Sequence, residues 1–197
     1  MGMGEPLYTF SIARAISAGA LAGFIASWYV TLLLVASEYE IGFPIGTFYT
    51  VIGEILGFRS ADALYTGFVL HIITSTIVGA SSSLLLVTIL RRWRIGGKVC
   101  ILCSYRAAGV GLIIGFLVWL VLFLPVTFLI VEPSLAFRSA TDVSMLYSIP
   151  VSVNALLSMV WVITVSALPY HLGYGATLGY LMSKLVERIA IVDTNNI

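Results

Sequence analysis

The chain has 197 residues, of which 60% are hydrophobic and only 10% are charged, and its formal net charge is +1. Soluble domains carry roughly 25% charged residues, so this composition excludes an ordinary water-soluble globule, and its hydrophobicity also excludes disorder. Two cysteines are too few for a disulfide-stapled scaffold. The near-neutral charge gives no indication of nucleic-acid binding. The composition therefore indicates a membrane protein.

The first long uncharged segment lies between Arg14 and Glu38. A spanning helix needs about 20 mostly apolar residues, and this segment is long enough, so it predicts the first span. No basic leader precedes it, and we expect it to be retained rather than cleaved as a signal peptide. The following segment, 41–58, is apolar but interrupted by proline and glycine, which favours a short interfacial or re-entrant segment. Its Glu54 is expected to be a carboxylate at the membrane surface or a lining group of a cavity.

Two further uncharged segments are also long enough to cross the membrane and predict the second and third spans. They lie between Asp62 and Arg91 and between Arg106 and Glu132. The last, between Asp142 and Lys184, is the longest. We interpret it as a lead-in element near 147–161 followed by a helix over 162–182, bent near Pro169 because proline removes a backbone donor. The alternative is to divide this segment into two spans, which would give five.

The loop 91–106 fixes the predicted orientation, because lysine and arginine are retained in cytoplasmic loops. It contains five of the ten basic residues and no acid: Arg91, Arg92, Arg94, Lys98 and Arg106. We expect this loop to lie in the cytoplasm against anionic headgroups. With four spans, both termini are then cytoplasmic and the protein is integral to the cell membrane.

An internal duplication is visible in the sequence. The segment 14–24 aligns with 106–116 as R-A-x-x-x-G-x-x-x-G-F, and five of eleven positions are identical. At an offset of 100, His71 aligns with His171, Gly79 with Gly179 and Glu54 with Asn154. The sequence thus predicts an all-α fold in one transmembrane domain covering 1–197. Its two parallel two-helix repeats, about 11–92 and 104–190, would be related by an axis along the membrane normal.

The chain resembles small integral membrane proteins of unknown function that contain duplicated helical pairs. The resemblance rests on the pattern R-A-x-x-x-G-x-x-x-G-F at the start of one span, followed by a span that carries H-x-x-x-x-x-x-x-G. The resemblance implies a fold and no particular activity.

Small residues one helical turn apart allow helices to approach closely. The pairs in this sequence are Gly19 with Gly23, Gly111 with Gly115, and Gly175 with Gly179. They predict helix packing, either within the chain or against partner subunits.

The two histidines, His71 and His171, fall inside predicted spans, where ionisable side chains are costly and often functional. They predict hydrogen bonds to neighbouring helices. A proton or substrate path with Glu54 and Asn154, or ligation of haem or copper, are the alternatives. Cys100 and Cys103 form a lone C-x-x-C in the basic loop. They are interpreted as reduced thiols, or as half of a metal site completed by another subunit.

No nucleophile triad, phosphate loop or dinucleotide fingerprint is present in the sequence. No cofactor is predicted beyond the haem or copper alternative. The first functional hypothesis is therefore a non-catalytic accessory subunit of a larger membrane complex, with other integral subunits as partners. A respiratory or membrane monooxygenase complex is an example of such an assembly. The alternatives are a small transporter or channel acting as a homo-oligomer, and a haem-bearing cytochrome subunit.

Overall fold

A computed structural model describes residues 12–92, 104–141 and 145–194, without the side chains at 87, 89–92, 104 and 186–194. The long helices are α1 (Ile12–Glu40), α3 (Ser60–Arg92), α4 (Ser104–Val118) and α7 (Val153–Thr194), and α2 (Thr47–Ile55) is a short helix between the first two. In the described residues, four helical stretches are long and apolar enough to cross a membrane. They are Ile12–Glu40, Ser60–Leu86, Tyr105–Ala140 and Val153–Leu185. These helices support membrane embedding.

The third stretch continues from α4 through two π-helical turns, Trp119–Phe123 and Thr127–Val131, separated by α5 (Leu124–Val126), and ends with α6 (Glu132–Ala140). Pro125 lies between the π turns and has no backbone N–H to donate, which accounts for the local change of hydrogen bonding. The stretch of 36 residues would be about 54 Å long at 1.5 Å per residue. This exceeds the ~30 Å hydrocarbon core, so the charged α6 extends beyond it.

The fourth stretch differs from the prediction. A bridge between Met145 and Ser152 closes a small hairpin, and α7 begins at Val153, inside the segment expected to be a separate lead-in. The helix continues through Pro169. This region of the described chain therefore forms one candidate span, and the five-span alternative is not supported.

Two helix crossings hold the long helices together, α1 on α3 and α4 on α7. At the first, a Cβ added to Gly19 would overlap the carbonyl group of Gly79, and one added to Gly23 would overlap that of Ser75. At the second, Gly111 lies in the same way against Gly175, and Gly115 against His171. All six glycines predicted to pack helices lie at these crossings, because only glycine leaves room for backbone contact there.

The glycine contacts at the two crossings are similar. If Gly111 replaces Gly19, then Gly175 replaces Gly79 and His171 replaces Ser75. The register between α3 and α7 is thus one helical turn shorter than the predicted offset of 100. In this register His71 does not align with His171. The reason is that small residues recur every four positions on one helix face, so glycine spacing alone does not fix the register to better than one turn.

The two pairs meet where α1 packs on α7. Small side chains of α1, including Ala18, Ala22 and Ala26, form a buried cluster with Tyr174 and Leu178. The Tyr174 hydroxyl also donates a 2.7 Å hydrogen bond to the Ser75 carbonyl oxygen of α3. A second buried cluster lies at the end of the molecule that carries α2, α6 and the hairpin 145–152; we call this end the cap. It includes Val51, Leu135, Leu146, Val151 and Leu156.

Candidate functional site

The most highly organised polar group of the cap is the carboxylate of Glu54, whose side chain is 1% exposed. Arg138 donates to it from Nη1 at 2.6 Å and also donates from Nη2 to the Glu54 carbonyl oxygen at 3.1 Å. The backbone N–H groups of Ser148 and Tyr147 donate to the same carboxylate at 2.7 and 3.2 Å. Glu54 therefore joins α2 to both α6 and the hairpin.

Burial alone would raise the pKa of Glu54. The hydrogen bonds from Arg138 and from the loop at Tyr147 and Ser148 outweigh burial and hold the pKa below its ordinary value of 4.5. The carboxylate is therefore charged at neutral pH and satisfied by its partners. The sequence prediction of a surface or cavity-lining carboxylate is corrected: Glu54 is a buried member of an ion pair.

A second buried carboxylate, Glu38, lies at the other end of α2. Its two oxygens accept 2.6 and 2.8 Å hydrogen bonds from the backbone N–H groups of Gly46 and Phe48. These N–H groups lack partners within the helix, and Gly46 has φ +89°, which permits the sharp turn into α2. The short helix is thus fixed at both ends by carboxylates.

Two arginines lie against one aromatic ring at the cap. The guanidinium carbon of Arg59 is 4.6 Å from the centroid of Tyr147, and that of Arg138 is 5.3 Å from it. Such distances are within the range of cation–π attraction. The ring and Arg138 also line an open groove of about 550 Å³, whose other wall is mainly apolar. Positive charge and apolar surface therefore meet at one place.

The two histidines have separate partners. Nε2 of His71 lies 3.4 Å from the Ser27 carbonyl oxygen of α1, and its ring contacts Tyr49 of α2 at 5.5 Å between centroids. Nδ1 of His171 lies 2.8 Å from the carbonyl oxygen of Ala167 on its own helix. Each imidazole thus has a backbone carbonyl group of its own as a hydrogen-bond partner.

Asn154 also lies at the cap, where its Oδ1 accepts a 2.6 Å hydrogen bond from the Ser139 hydroxyl. Glu54 and Asn154 therefore bind adjacent residues of α6, not the histidines. Among the described residues there is no group of three or more His, Cys, Asp or Glu side chains that could hold a metal ion. Cys100 and Cys103, and with them most of the basic loop 91–106, lie outside the described residues.

Sequence reasoning identified Glu54 but missed its partners. Arg138 is 84 residues away, and no local spacing connects the two. The signal in the sequence was charge: Arg59 and Arg138 are the basic residues of otherwise acidic loops, so a buried acid could serve as a partner. Tyr147 and Glu38 carried no such signal, because their roles depend on backbone geometry.

Comparison of the chain with family models, with curated proteins and with solved structures finds no match. The class of protein is therefore defined by the fold alone, as a helical protein whose described residues contain four candidate membrane spans.

Proposed function

We propose that this protein is a non-catalytic integral subunit that binds other membrane proteins in a larger complex. The observation that carries the proposal is a line of exposed hydroxyl-bearing side chains among the apolar side chains of α3. Thr74, Ser81 and Thr88 are exposed and repeat every seven residues, so they lie on one side of the helix. Hydroxyl groups gain little from lipid chains, whereas interfaces between spanning helices are enriched in small and polar side chains. This face fits a partner helix.

The arrangement of the helices supports the proposal. Within the most apolar part of each span, 39% of α1 residues are buried but only 17% of α3 residues and 11% of those in Tyr105–Ala140. The two helices at the edges of the molecule therefore present most of their surface to their surroundings. On α3 this surface carries the hydroxyl stripe, which makes α3 the side on which we place the partner.

The proposed topology is two parallel helical pairs in the cell membrane, with both termini in the cytoplasm. The matching glycine crossings support the duplication. In this topology α2 lies at the outer interface, and the basic loop 91–106 meets anionic headgroups on the inner side. A respiratory or monooxygenase complex remains the kind of assembly we expect.

The accessory role is proposed ahead of a transporter or a haem-bearing subunit because of where the polar residues lie. A midplane transport site would need Glu54 and Asn154 near the histidines, whereas both bind α6 and its neighbourhood. Each imidazole contacts a backbone carbonyl group through one ring nitrogen, which supports a hydrogen-bonding role over axial ligation of a haem.

A photocrosslinking amino acid placed at Ser81 in native membranes tests the proposal. Val69 is the matched control, because it is 50% exposed on the same helix and lies about 120° away from Ser81 around the helix axis. We expect one membrane protein to be captured from Ser81 and not from Val69, and to comigrate with the chain in fixed ratio on native electrophoresis. Ser81→Phe should abolish the comigration and Val69→Phe should preserve it.

Two results would overturn the accessory role. If both positions capture lipid only and the chain migrates alone, no partner helix covers this face. If Ser81 captures a second copy of the chain, the protein is a homo-oligomer and the transporter alternative takes precedence.

A further inference from the structure

The groove at the cap has a polar end and an apolar wall. Its apolar wall includes Leu129, Ile130 and Phe137, which are 75%, 48% and 70% exposed. Its polar end is formed by Arg138, Thr141 and Tyr147. A volume of about 550 Å³ falls in the range of small-molecule sites. The groove is therefore an amphipathic space rather than a gap in the core.

The groove runs along the direction of the membrane normal. Leu129 and Ile130 belong to the uncharged part of the third span, before Glu132. Arg138 follows Leu129 by nine residues, which is about 13 Å along the helix. Leu129 and Ile130 thus lie at the depth of lipid chains, whereas Phe137 and Arg138 lie towards the headgroups. A lipid in the bilayer has the same orientation, with its acyl chains towards the hydrocarbon and its headgroup towards the arginine.

The charge at the polar end is positive. Arg59 and Arg138 both lie near the Tyr147 ring, and the ion pair with Glu54 neutralises the charge of Arg138. One positive charge remains among these three groups. A guanidinium has five N–H donors, and the Arg138 side chain, which is 16% exposed, directs two of its nitrogens to Glu54. Arg59 does not itself line the groove, but it is exposed and its guanidinium lies over the ring of Tyr147, which does line it. Both arginines therefore have donors for an anion.

We propose that this groove binds an anionic phospholipid of the surrounding leaflet. The phosphate accepts hydrogen bonds from Arg59 and from the free donors of Arg138, since guanidinium and phosphate form strong charge-assisted pairs. One acyl chain lies along Leu129 and Ile130, and Phe137 contacts the lipid nearer to its headgroup. The site is open towards the hydrocarbon, so the lipid enters laterally from the bilayer. The ion pair with Glu54 holds Arg138 in place for this contact.

The test measures lipid binding to the purified full-length protein by native mass spectrometry, with phosphatidylglycerol and phosphatidylcholine of identical acyl chains. We expect one tightly bound phosphatidylglycerol, held about tenfold more tightly than phosphatidylcholine, and expect Arg59→Gln to remove this preference. Arg14→Gln, which changes an exposed arginine at the end of α1 remote from the cap, should leave it unchanged. Equal binding of both lipids, or a preference unchanged by Arg59→Gln, would overturn the proposal.

A second pair of variants tests the acyl-chain wall. Ser134 lines the groove, whereas Ala136 is exposed on the same helix outside it. Ser134→Trp should fill the groove and reduce phosphatidylglycerol binding about tenfold, while Ala136→Trp should not. Displacement of the lipid by soluble glycerol phosphate alone at equal concentration would show a simple anion site and contradict the lipid assignment. If Ser134→Trp lowers the melting temperature, its loss of lipid could come from misfolding. The result for Arg59→Gln then decides the test.

Discussion

Glu54 shows how a charged residue is accommodated at the end of a mainly apolar molecule. A buried carboxylate without partners would be strongly unfavourable, but this one accepts hydrogen bonds from a guanidinium and from two backbone amides. It is therefore better satisfied than an exposed ion pair, which contributes little to stability. Removal of one partner should lower the free energy of unfolding by more than the ion pair contributes to it, because the other charge is left buried without a partner.

This arrangement predicts an acid-sensitive stability. Because the hydrogen bonds lower the pKa of Glu54, the folded protein binds its proton less readily than the unfolded chain does. The stabilisation is complete above the ordinary value of 4.5 and is lost as the pH falls through the lowered pKa. We expect Glu54→Gln to reduce the free energy of unfolding at pH 7 by about 1–3 kcal/mol, and the difference from the wild type to shrink at acid pH.

Unfolding in mixed detergent micelles at several pH values, followed by tryptophan fluorescence, measures this difference. Other carboxyl groups titrate in both proteins, so their effects largely cancel in the comparison. A difference that is absent at pH 7, or that grows as the pH falls, would contradict the lowered pKa.

At the scale of elements, the hydropathy of the sequence was sufficient to locate the four long helices. The uncharged segments that follow Arg14, Asp62 and Arg106 correspond to the first three, because length and lack of charge are the physical requirements for a span. The sequence placed the start of the last helix at 162, whereas α7 begins at Val153. The segment from Val153 to Trp161 is apolar, but the residues after it are already enough to span the bilayer, so length gave no reason to include it in the helix. The boundary depends on the hairpin 145–152, whose bridge to Ser152 gives no periodic signal.

Glycine positions were also predictable, but their partners were not. The spacing indicates which helix face packs, whereas the register depends on the shape of both helices at the crossing. Glu54 and Arg138 illustrate the same limit for the cap: their pairing follows from how α2 and α6 meet, which no single segment encodes.

The crossing of α4 and α7 predicts unequal effects of two similar substitutions. A Cβ at Gly111 would overlap the Gly175 carbonyl group, whereas a Cβ at Gly109 meets nothing within 4 Å. We expect Gly111→Ala to destabilise the protein by about 1–3 kcal/mol through overpacking. Gly109→Ala, in the same helix, should be neutral or slightly stabilising. Unfolding in detergent measures both, and equal effects would show that the two helices do not make this close contact.

The whole molecule is two helical pairs joined at the α1–α7 interface and at the cap. Within each pair, glycine allows the backbones to touch, whereas between the pairs small alanines of α1 meet the larger Tyr174, Leu178 and Met182 of α7. In the two-stage view of membrane folding, helices form first and then pack by shape. Each pair has its own complete crossing, so each should form in the membrane before the pairs associate.

Coexpression of the halves 1–98 and 99–197 as separate chains tests this order. We expect the halves to copurify in mild detergent, because the α1–α7 interface and the Glu54–Arg138 pair can both still form. Ala22 is 0% exposed at that interface, so Ala22→Phe should reduce copurification about tenfold through overpacking. Ala36→Phe, at an exposed position of the same helix, should have no effect. Halves that never associate, or that associate equally with Ala22→Phe, would mean that the pairs are not the units from which the molecule is assembled.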